Sequence, residues 1–126
     1  MKLLLDTNAL LWILNDERML GPRARRLLQD TTRILVSEIS LLEIAVKTSV
    51  GKLPAEPRLH SAIRELGFER TGINDRYLAR LERLPVLHRD PFDRFLIAQA
   101  LTEDIPVLTA DSIFERYGAK VIDAGV

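Results

Sequence analysis

Residues 88–100 read HRDPFDRFLIAQA, and this stretch predicts a helix around which the rest of the chain is organised. Asp90 fits the N-cap position, and Pro91 suits the first helical position, where no amide hydrogen is needed. Apolar residues then cover nearly the whole circumference, so we expect the helix to be buried. Asp93 lies in the first turn of this predicted helix. A charge there needs a metal ion, a basic group or the helix N-terminus to stabilise it.

Length and composition are those of an ordinary globular domain, with 126 residues, 47% of them hydrophobic and 29% charged. The absence of cysteine excludes disulfides, thiolate metal sites and cysteine nucleophiles. Lys plus Arg and Asp plus Glu are equal at 18 each, so any nucleic-acid site must be local. The apolar runs are too short to span a bilayer, and the amino terminus does not look like a signal peptide. We therefore expect a cytoplasmic protein with no membrane contact.

Short apolar strands alternate with helical segments along the chain. This pattern predicts an α/β fold with a central, mostly parallel sheet flanked by helices, in a single domain over residues 1–126. The predicted strands are residues 2–5, 33–36, 105–109 and 119–122, with a short edge strand at 68–71. The predicted helices include residues 9–14, a segment opening at Pro22, one ending near Val50, one around 59–66, one capped by Asn74, and 90–101.

Carboxylates follow the predicted strands at the ends where α/β proteins bind ligands. Asp6 follows the first strand, and Asp111 follows the strand that ends at Thr109. Glu43 lies on the helix after the second strand. Asp93 lies in the first turn of the helix leading into the Asp111 strand, so topology alone does not fix its position. Such carboxylates repel one another unless a cation neutralises them, and oxygen-only ligands favour Mg²⁺ or Mn²⁺ over zinc.

The role of Glu43 depends on where its helix begins. If Ser40 is the N-cap, Ser40-x-x-Glu43 is a capping box and the acid serves the helix end. If Ser37 is the N-cap, Glu43 faces inward. The sequence leaves both alternatives open, and it predicts an apolar core stripe on this helix at Ile39, Leu42, Val46 and Val50.

An ordered set of motifs carries a family resemblance. The segments are Asp6-Thr7-Asn8, Ser37 to Glu43, Asp90-Pro91-Phe92-Asp93-Arg94-x-Leu96-Ile97-Ala98, and Thr109-Ala110-Asp111. Together they resemble the PIN domain, more narrowly the VapC toxins of bacterial type II toxin–antitoxin pairs, over essentially the whole chain. The resemblance implies a Mg²⁺-dependent endoribonuclease, with Mn²⁺ as a possible substitute. Its catalytic and metal-binding cluster would be Asp6, Glu43, Asp93 and Asp111.

Several neighbours of these acids have supporting roles in this interpretation. Asp90 is an additional acid whose role is left open. Arg89 and Arg94 flank the acids, where they either hold substrate phosphates or pair with the neighbouring carboxylates. His88 is interpreted as a loop residue or, at most, a phosphate contact. The resemblance also implies polar groups that orient the carboxylates or water: Thr7, Asn8, Ser37 and Thr109.

The resemblance further implies partners. RNA would be the substrate, and a cognate antitoxin would occupy the acidic groove through a basic side chain standing in for the metal. A homodimer is also expected, because the helices around residues 59–84 carry more apolar surface than a peripheral hairpin needs. Its predicted surface consists of Leu59, Ile63, Leu66, Tyr77, Leu78, Leu81 and Leu84.

Two other functional classes compete with the nuclease. A phosphoacceptor receiver domain has a similar length and an acidic Mg²⁺ pocket. However, it would need paired acids after the first strand and an Asp after a middle strand, whereas Asp6 stands alone and Ser37 follows Val36. The other competitor is a non-catalytic binding module whose acids are structural. Incubation with RNA, with Mg²⁺ or with a chelator, separates the three.

Overall fold

A computed structural model describes residues 1–126 and contains one five-stranded sheet in the order β3-β2-β1-β4-β5. Every neighbouring pair of strands is parallel, so the predicted α/β class and sheet are confirmed. The strands are β1 Lys2–Leu5, β2 Arg33–Ser37, β3 Glu69–Thr71, β4 Val107–Thr109 and β5 Val121–Asp123.

Helices cover both faces of this sheet. They are α1 Thr7–Leu14, α2 Pro22–Asp30, α3 Glu38–Ser49, α4 Leu59–Glu65, α5 Asp75–Arg83, α6 Pro91–Glu103 and α7 Ile113–Arg116. Leu3 and Leu5 of β1 pack in one hydrophobic cluster and Leu4 in another. Successive strand side chains point to opposite faces, which explains why the central strand is apolar at every one of these positions. None of the helices combines the length and the hydrophobicity needed to cross a membrane.

Helix α6 forms as its sequence predicts. The Oδ1 atom of Asp90 accepts hydrogen bonds from the amides of Phe92 at 2.8 Å and Asp93 at 3.1 Å. Pro91 occupies the first turn, and every residue from Phe95 to Ala100 is buried. The cap therefore fixes the start of the helix and brings Asp93 to a defined place in its first turn.

Helix α3 differs from the prediction in its phase. It begins at Glu38 directly after β2, and the Ser37 hydroxyl accepts the Ile39 amide at 3.2 Å, so the capping-box alternative for Glu43 is wrong. The predicted core stripe is wrong for three of its four residues, because Leu42, Val46 and Val50 are 50%, 42% and 63% exposed, whereas Ile39 packs against the core. The direct junction with β2 sets the rotation of α3. As a result, a different set of side chains faces the interior: Ser40, Leu41, Glu43 and Ile44.

The predicted dimer surface is mostly interior. Leu59 and Ile63 of α4 are buried in one cluster, and Leu84 is buried in the other. Tyr77 of α5 is buried edge-on against Phe95 of α6, with ring centroids 6.1 Å apart. The prediction was wrong for these four residues because the same helices pack onto their own sheet and onto α6. Leu81 is partly buried, which leaves two exposed members of the set, Leu66 and Leu78.

Candidate active site

Asp6 lies at the carboxyl end of the sheet, between β1 and β4. Its amide donates to the Leu108 carbonyl at 3.1 Å, which fixes its backbone to β4. Its Oδ1 atom accepts the Ala9 amide at 2.7 Å and thereby caps α1, while Oδ2 accepts the Thr109 hydroxyl. The residue is only 5% exposed. A carboxylate that follows a strand and caps the next helix is thus held in one orientation.

Burial raises the pKa of the Asp6 carboxyl to about 6. The negative charges of Asp93 and Asp111 raise this pKa further, whereas the hydrogen bonds from Thr109 and Ala9 lower it. The ionised form of Asp6 is therefore disfavoured by its surroundings. A cation at this edge of the sheet would reverse that effect.

Asp111 lies across Thr109 from Asp6. The Asp111 amide donates to the Thr109 hydroxyl oxygen at 3.0 Å, and its own Oδ1 atom accepts the Ile113 amide at 3.0 Å. Asp111 is exposed, so the buried Asp6 connects through one threonine to an acid that solvent reaches. An open cleft of about 320 Å³ at this point is lined by Asp6, Asn8, Trp12, Ala110, Asp111 and Ser112.

Asp93 extends the acidic region from α6. Burial raises its pKa, as do the charges of Asp90 and Glu43, while a hydrogen bond with His88 opposes the shift. His88 Nε2 lies 3.0 Å from Asp93 Oδ2. The Tyr117 hydroxyl accepts the amides of both Leu87 and His88 at 3.0 Å, which anchors the loop carrying the imidazole. His88 is a loop residue as predicted, but it contacts a site carboxylate, and no sequence signal indicated that contact.

Glu43 faces the site from α3, and both of its carboxylate oxygens have partners. The Thr7 hydroxyl donates to Oε1 at 2.7 Å, and Lys47 Nζ lies 2.6 Å from Oε2. Ser40 Oγ lies 3.0 Å from Thr7 Oγ1. The hydrogen bond with Glu43 raises the pKa of the Lys47 ammonium. Sequence reasoning missed Lys47, although a Glu and a Lys four residues apart on a helix is a recognisable signal.

The four predicted acids share one electrostatic neighbourhood without forming a tight cluster. The negative charges of Asp93 and Asp111 raise the pKa of Asp6, and the charge of Glu43 raises the pKa of Asp93. No three of them bring ligand atoms within 4.8 Å of one another; the group that does so is His88, Asp90 and Asp93. The oxygens of Asp6 and Glu43 are instead engaged by hydrogen-bond donors within the chain.

The predicted supporting residues differ in what they contact. Thr7 and Thr109 bond directly to site carboxylates, and the fully buried Ser37 acts as the cap of α3. Asn8 is exposed and lines the cleft. Arg94 donates to the Leu84 carbonyl at 3.1 Å and forms no ion pair with either aspartate, so its predicted pairing with the acids is wrong. The guanidinium instead ties α6 to the end of α5.

Comparison with known families decides the assignment, because a model of the PIN domain matches residues 3–120. The chain belongs to the PIN family. No curated protein matches this PIN domain in sequence. The predicted family resemblance is confirmed, and PIN domains are generally nucleases that typically use a divalent metal.

Solved structures with the same fold include complexes from three bacteria, Rickettsia felis, Salmonella typhimurium and Klebsiella pneumoniae. The PIN domain superposes with a TM-score of 0.73 and 18% identity on a chain of VapBC2 from Rickettsia felis bound to a promoter DNA fragment, covering 97% of this chain and 98% of that one. DNA-bound VapBC from Salmonella typhimurium gives a TM-score of 0.72, 21% identity and 98% coverage of both chains. A toxin–antitoxin complex from Klebsiella pneumoniae gives a TM-score of 0.66, 18% identity and 96% coverage of both chains. These similarities show that the fold is shared.

The site residues of this PIN domain fit a divalent cation. Asp6 is buried, Asp93 is half-buried, and their negative charges repel each other; Asp111 adds a third charge at the solvent side. Carboxylate oxygens are the ligands that hard divalent cations prefer. A cation near Asp6 would offset both the burial of this carboxylate and its repulsion from Asp93 and Asp111, which together raise its pKa.

Proposed function

We propose that this PIN domain, acting as one unit over residues 1–126, is a Mg²⁺-dependent endoribonuclease of the VapC toxin type. One observation carries the proposal. Asp6 is a buried carboxylate that faces the charges of Asp93 and Asp111 at the carboxyl edge of a parallel sheet. We propose Asp6, Glu43, Asp93 and Asp111 as the catalytic and metal-binding acids, because repulsion of this kind favours a cation.

The acids have distinct tasks in this proposal. Asp6, Asp93 and Asp111 would attract Mg²⁺, or Mn²⁺ in its place, and Glu43, which is paired with Lys47, would add the fourth carboxylate of the metal-binding set. A bound divalent cation would supply Lewis-acid stabilisation of charge on the phosphodiester and make water a better nucleophile. Thr109 orients Asp6 through its hydroxyl, and His88 restricts the orientation of Asp93. The four acids would thus be pre-positioned by neighbours from different elements.

RNA is the proposed substrate, and the cleft beside Asp6 and Asp111 is its proposed entry. Trp12 lines this cleft and offers an aromatic surface on which an unpaired base can stack. Sequence-specific recognition of RNA generally targets unpaired bases, which suits a protein with no net positive charge. We propose that the enzyme acts in the cytoplasm, where it would meet an RNA substrate.

We infer an antitoxin partner that inserts a basic side chain among the acids. The complex from Klebsiella pneumoniae pairs a toxin with an antitoxin on this fold, and the acidic edge offers complementary charge. A homodimer is proposed through three exposed apolar residues, Leu42 and Val46 of α3 and Val50 at its C-cap, because they follow helical spacing and nothing in the chain covers them. Val46→Ser should then shift the mass measured by light scattering from dimer to monomer, and an unchanged dimer would exclude this surface.

Incubation of the purified protein with single-stranded RNA tests the activity. Cleavage should require Mg²⁺ or Mn²⁺, stop with chelator, and disappear in Asp93→Asn while the fold is retained. Asp75→Asn is the matched control, because Asp75 also lies in the first turn of a helix but is exposed and outside the site. RNA that stays intact with every metal would favour the non-catalytic module, and cleavage that survives Asp93→Asn would exclude the proposed site.

A further inference from the structure

Lys47 forms an ion pair with the predicted catalytic acid Glu43, four residues before it on α3. Its ammonium lies 2.6 Å from Glu43 Oε2. The Lys47 side chain is 39% exposed, whereas that of Glu43 is only 6% exposed. The pair therefore joins a buried carboxylate to a cation that solvent can still reach.

This pair differs from an ordinary surface pair on a helix. Surface pairs four residues apart contribute little to stability, because water screens both partners. Here Glu43 is removed from water, and its only other partner is the Thr7 hydroxyl. A buried carboxylate that loses its cation carries an uncompensated charge, which is costly.

The same ammonium also faces the acids of the neighbouring helix. Helix α3 packs against α6, whose first turn carries Asp93 and whose cap is Asp90. The charges of both aspartates act on Lys47 in addition to that of Glu43. The positive charge of Lys47 thus lies within the field of the region that would attract a metal.

We propose that Lys47 is a built-in counter-cation of the acidic site, which compensates the buried carboxylate of Glu43 and lowers the affinity of the site for divalent cations. The proposal rests on the proposed function, since it assumes that the acids bind metal. A divalent cation drawn by Asp6, Asp93 and Asp111 must bind against this fixed positive charge. Lys47 would therefore set the metal concentration at which the site fills.

Metal binding to charge-altered variants tests the proposal directly, with Mn²⁺ alone as the probe and no RNA present. Lys47→Gln keeps a hydrogen-bond donor for Glu43 and removes the charge, Lys47→Arg keeps the charge, and Lys52→Gln is the matched control because Lys52 is exposed just beyond α3. Isothermal titration gives the Mn²⁺ affinity, and thermal melting in chelator gives the metal-free stability. If Lys47→Gln does not fold without metal, refolding it in Mn²⁺ and titrating with chelator gives the same affinity.

Removing the charge should tighten Mn²⁺ binding by about tenfold, because a unit charge within several ångströms of a divalent ion acts strongly even when partly screened. The metal-free melting temperature of Lys47→Gln should fall, while Lys47→Arg and Lys52→Gln should resemble the wild type in affinity. Equal Mn²⁺ affinity in Lys47→Gln and wild type would refute the counter-cation while leaving the metal site intact. Failure of every variant and the wild type to bind Mn²⁺ would refute both this inference and the proposed function.

Discussion

Replacing Asp6 by asparagine should stabilise the metal-free protein, even though it removes a proposed catalytic acid. Asn keeps an oxygen to accept the Ala9 amide, so the cap of α1 survives. The gain comes from the pKa of Asp6, which is raised from 3.8 to about 6 in the folded state. Because the folded state holds this proton more tightly than the unfolded chain, wild-type stability falls as the pH rises between those two values and stays lower above them.

The size of the effect follows from the same shift. A difference of about two pH units corresponds to roughly 3 kcal/mol at neutral pH, at 1.36 kcal/mol per unit. The variant also loses the oxygen that accepts the Thr109 hydroxyl, which lowers this gain in stability by about 1 kcal/mol. The net gain of about 2 kcal/mol corresponds to a rise in melting temperature of roughly 5–8 °C for a domain of this length.

Thermal melts in chelator from about pH 4 to pH 7.5 check this prediction. Asp6→Asn should melt above the wild type at the upper end. The difference should shrink as the pH falls and change sign near the lower end, where Asp6 is protonated in the folded wild type and only the lost Thr109 contact remains. Added Mg²⁺ should then stabilise the wild type and not the variant. Parallel melting curves for the two proteins over the whole pH range would refute the reasoning, because burial of Asp6 would then cost nothing.

Two further substitutions separate the roles of residues around α6. Asp90→Ala should lower the free energy of unfolding by about 1 kcal/mol, as loss of an N-cap usually does, and retain RNA cleavage; loss of cleavage at an unchanged melting temperature would make Asp90 a site residue instead. Tyr117→Phe leaves two loop amides without their acceptor and should cost roughly 1–2 kcal/mol in denaturant unfolding. Nuclear magnetic resonance should show a changed His88 imidazole environment in that variant, and an unchanged one would mean that the loop is held by other contacts.

The parts of the fold that sequence predicts well are those encoded by adjacent residues. Asp90 and Pro91 specify the start of α6 locally, so the cap and the position of Asp93 follow from the residues themselves. The apolar run of β1 likewise identifies a strand buried on both faces, and Asp6 is placed by following it. Short-range chemistry is sufficient in both cases.

The parts that sequence missed depend on how elements meet. Ser37 and Ser40 are both good caps, and only the direct junction with β2 selects Ser37 and turns Glu43 inward. The contact of His88 with Asp93 depends on a hydroxyl from Tyr117, far along the chain. Apolar residues at helical spacing on α3 resemble a core stripe even where they face solvent. The spacing alone does not determine which face of the helix is turned toward the core.

The Thr109 hydroxyl limits which residues this position can accept. Its single proton is committed to Asp6, so its oxygen is left to accept the amide of Asp111. A side chain there must donate and accept at once within a fully packed space, since Thr109 is 1% exposed. Among the twenty amino acids, serine alone offers the same short hydroxyl, and valine matches only the shape. Selection at position 109 should therefore permit exchange between threonine and serine, while any other residue would leave the Asp6 carboxylate and the Asp111 amide each without a partner.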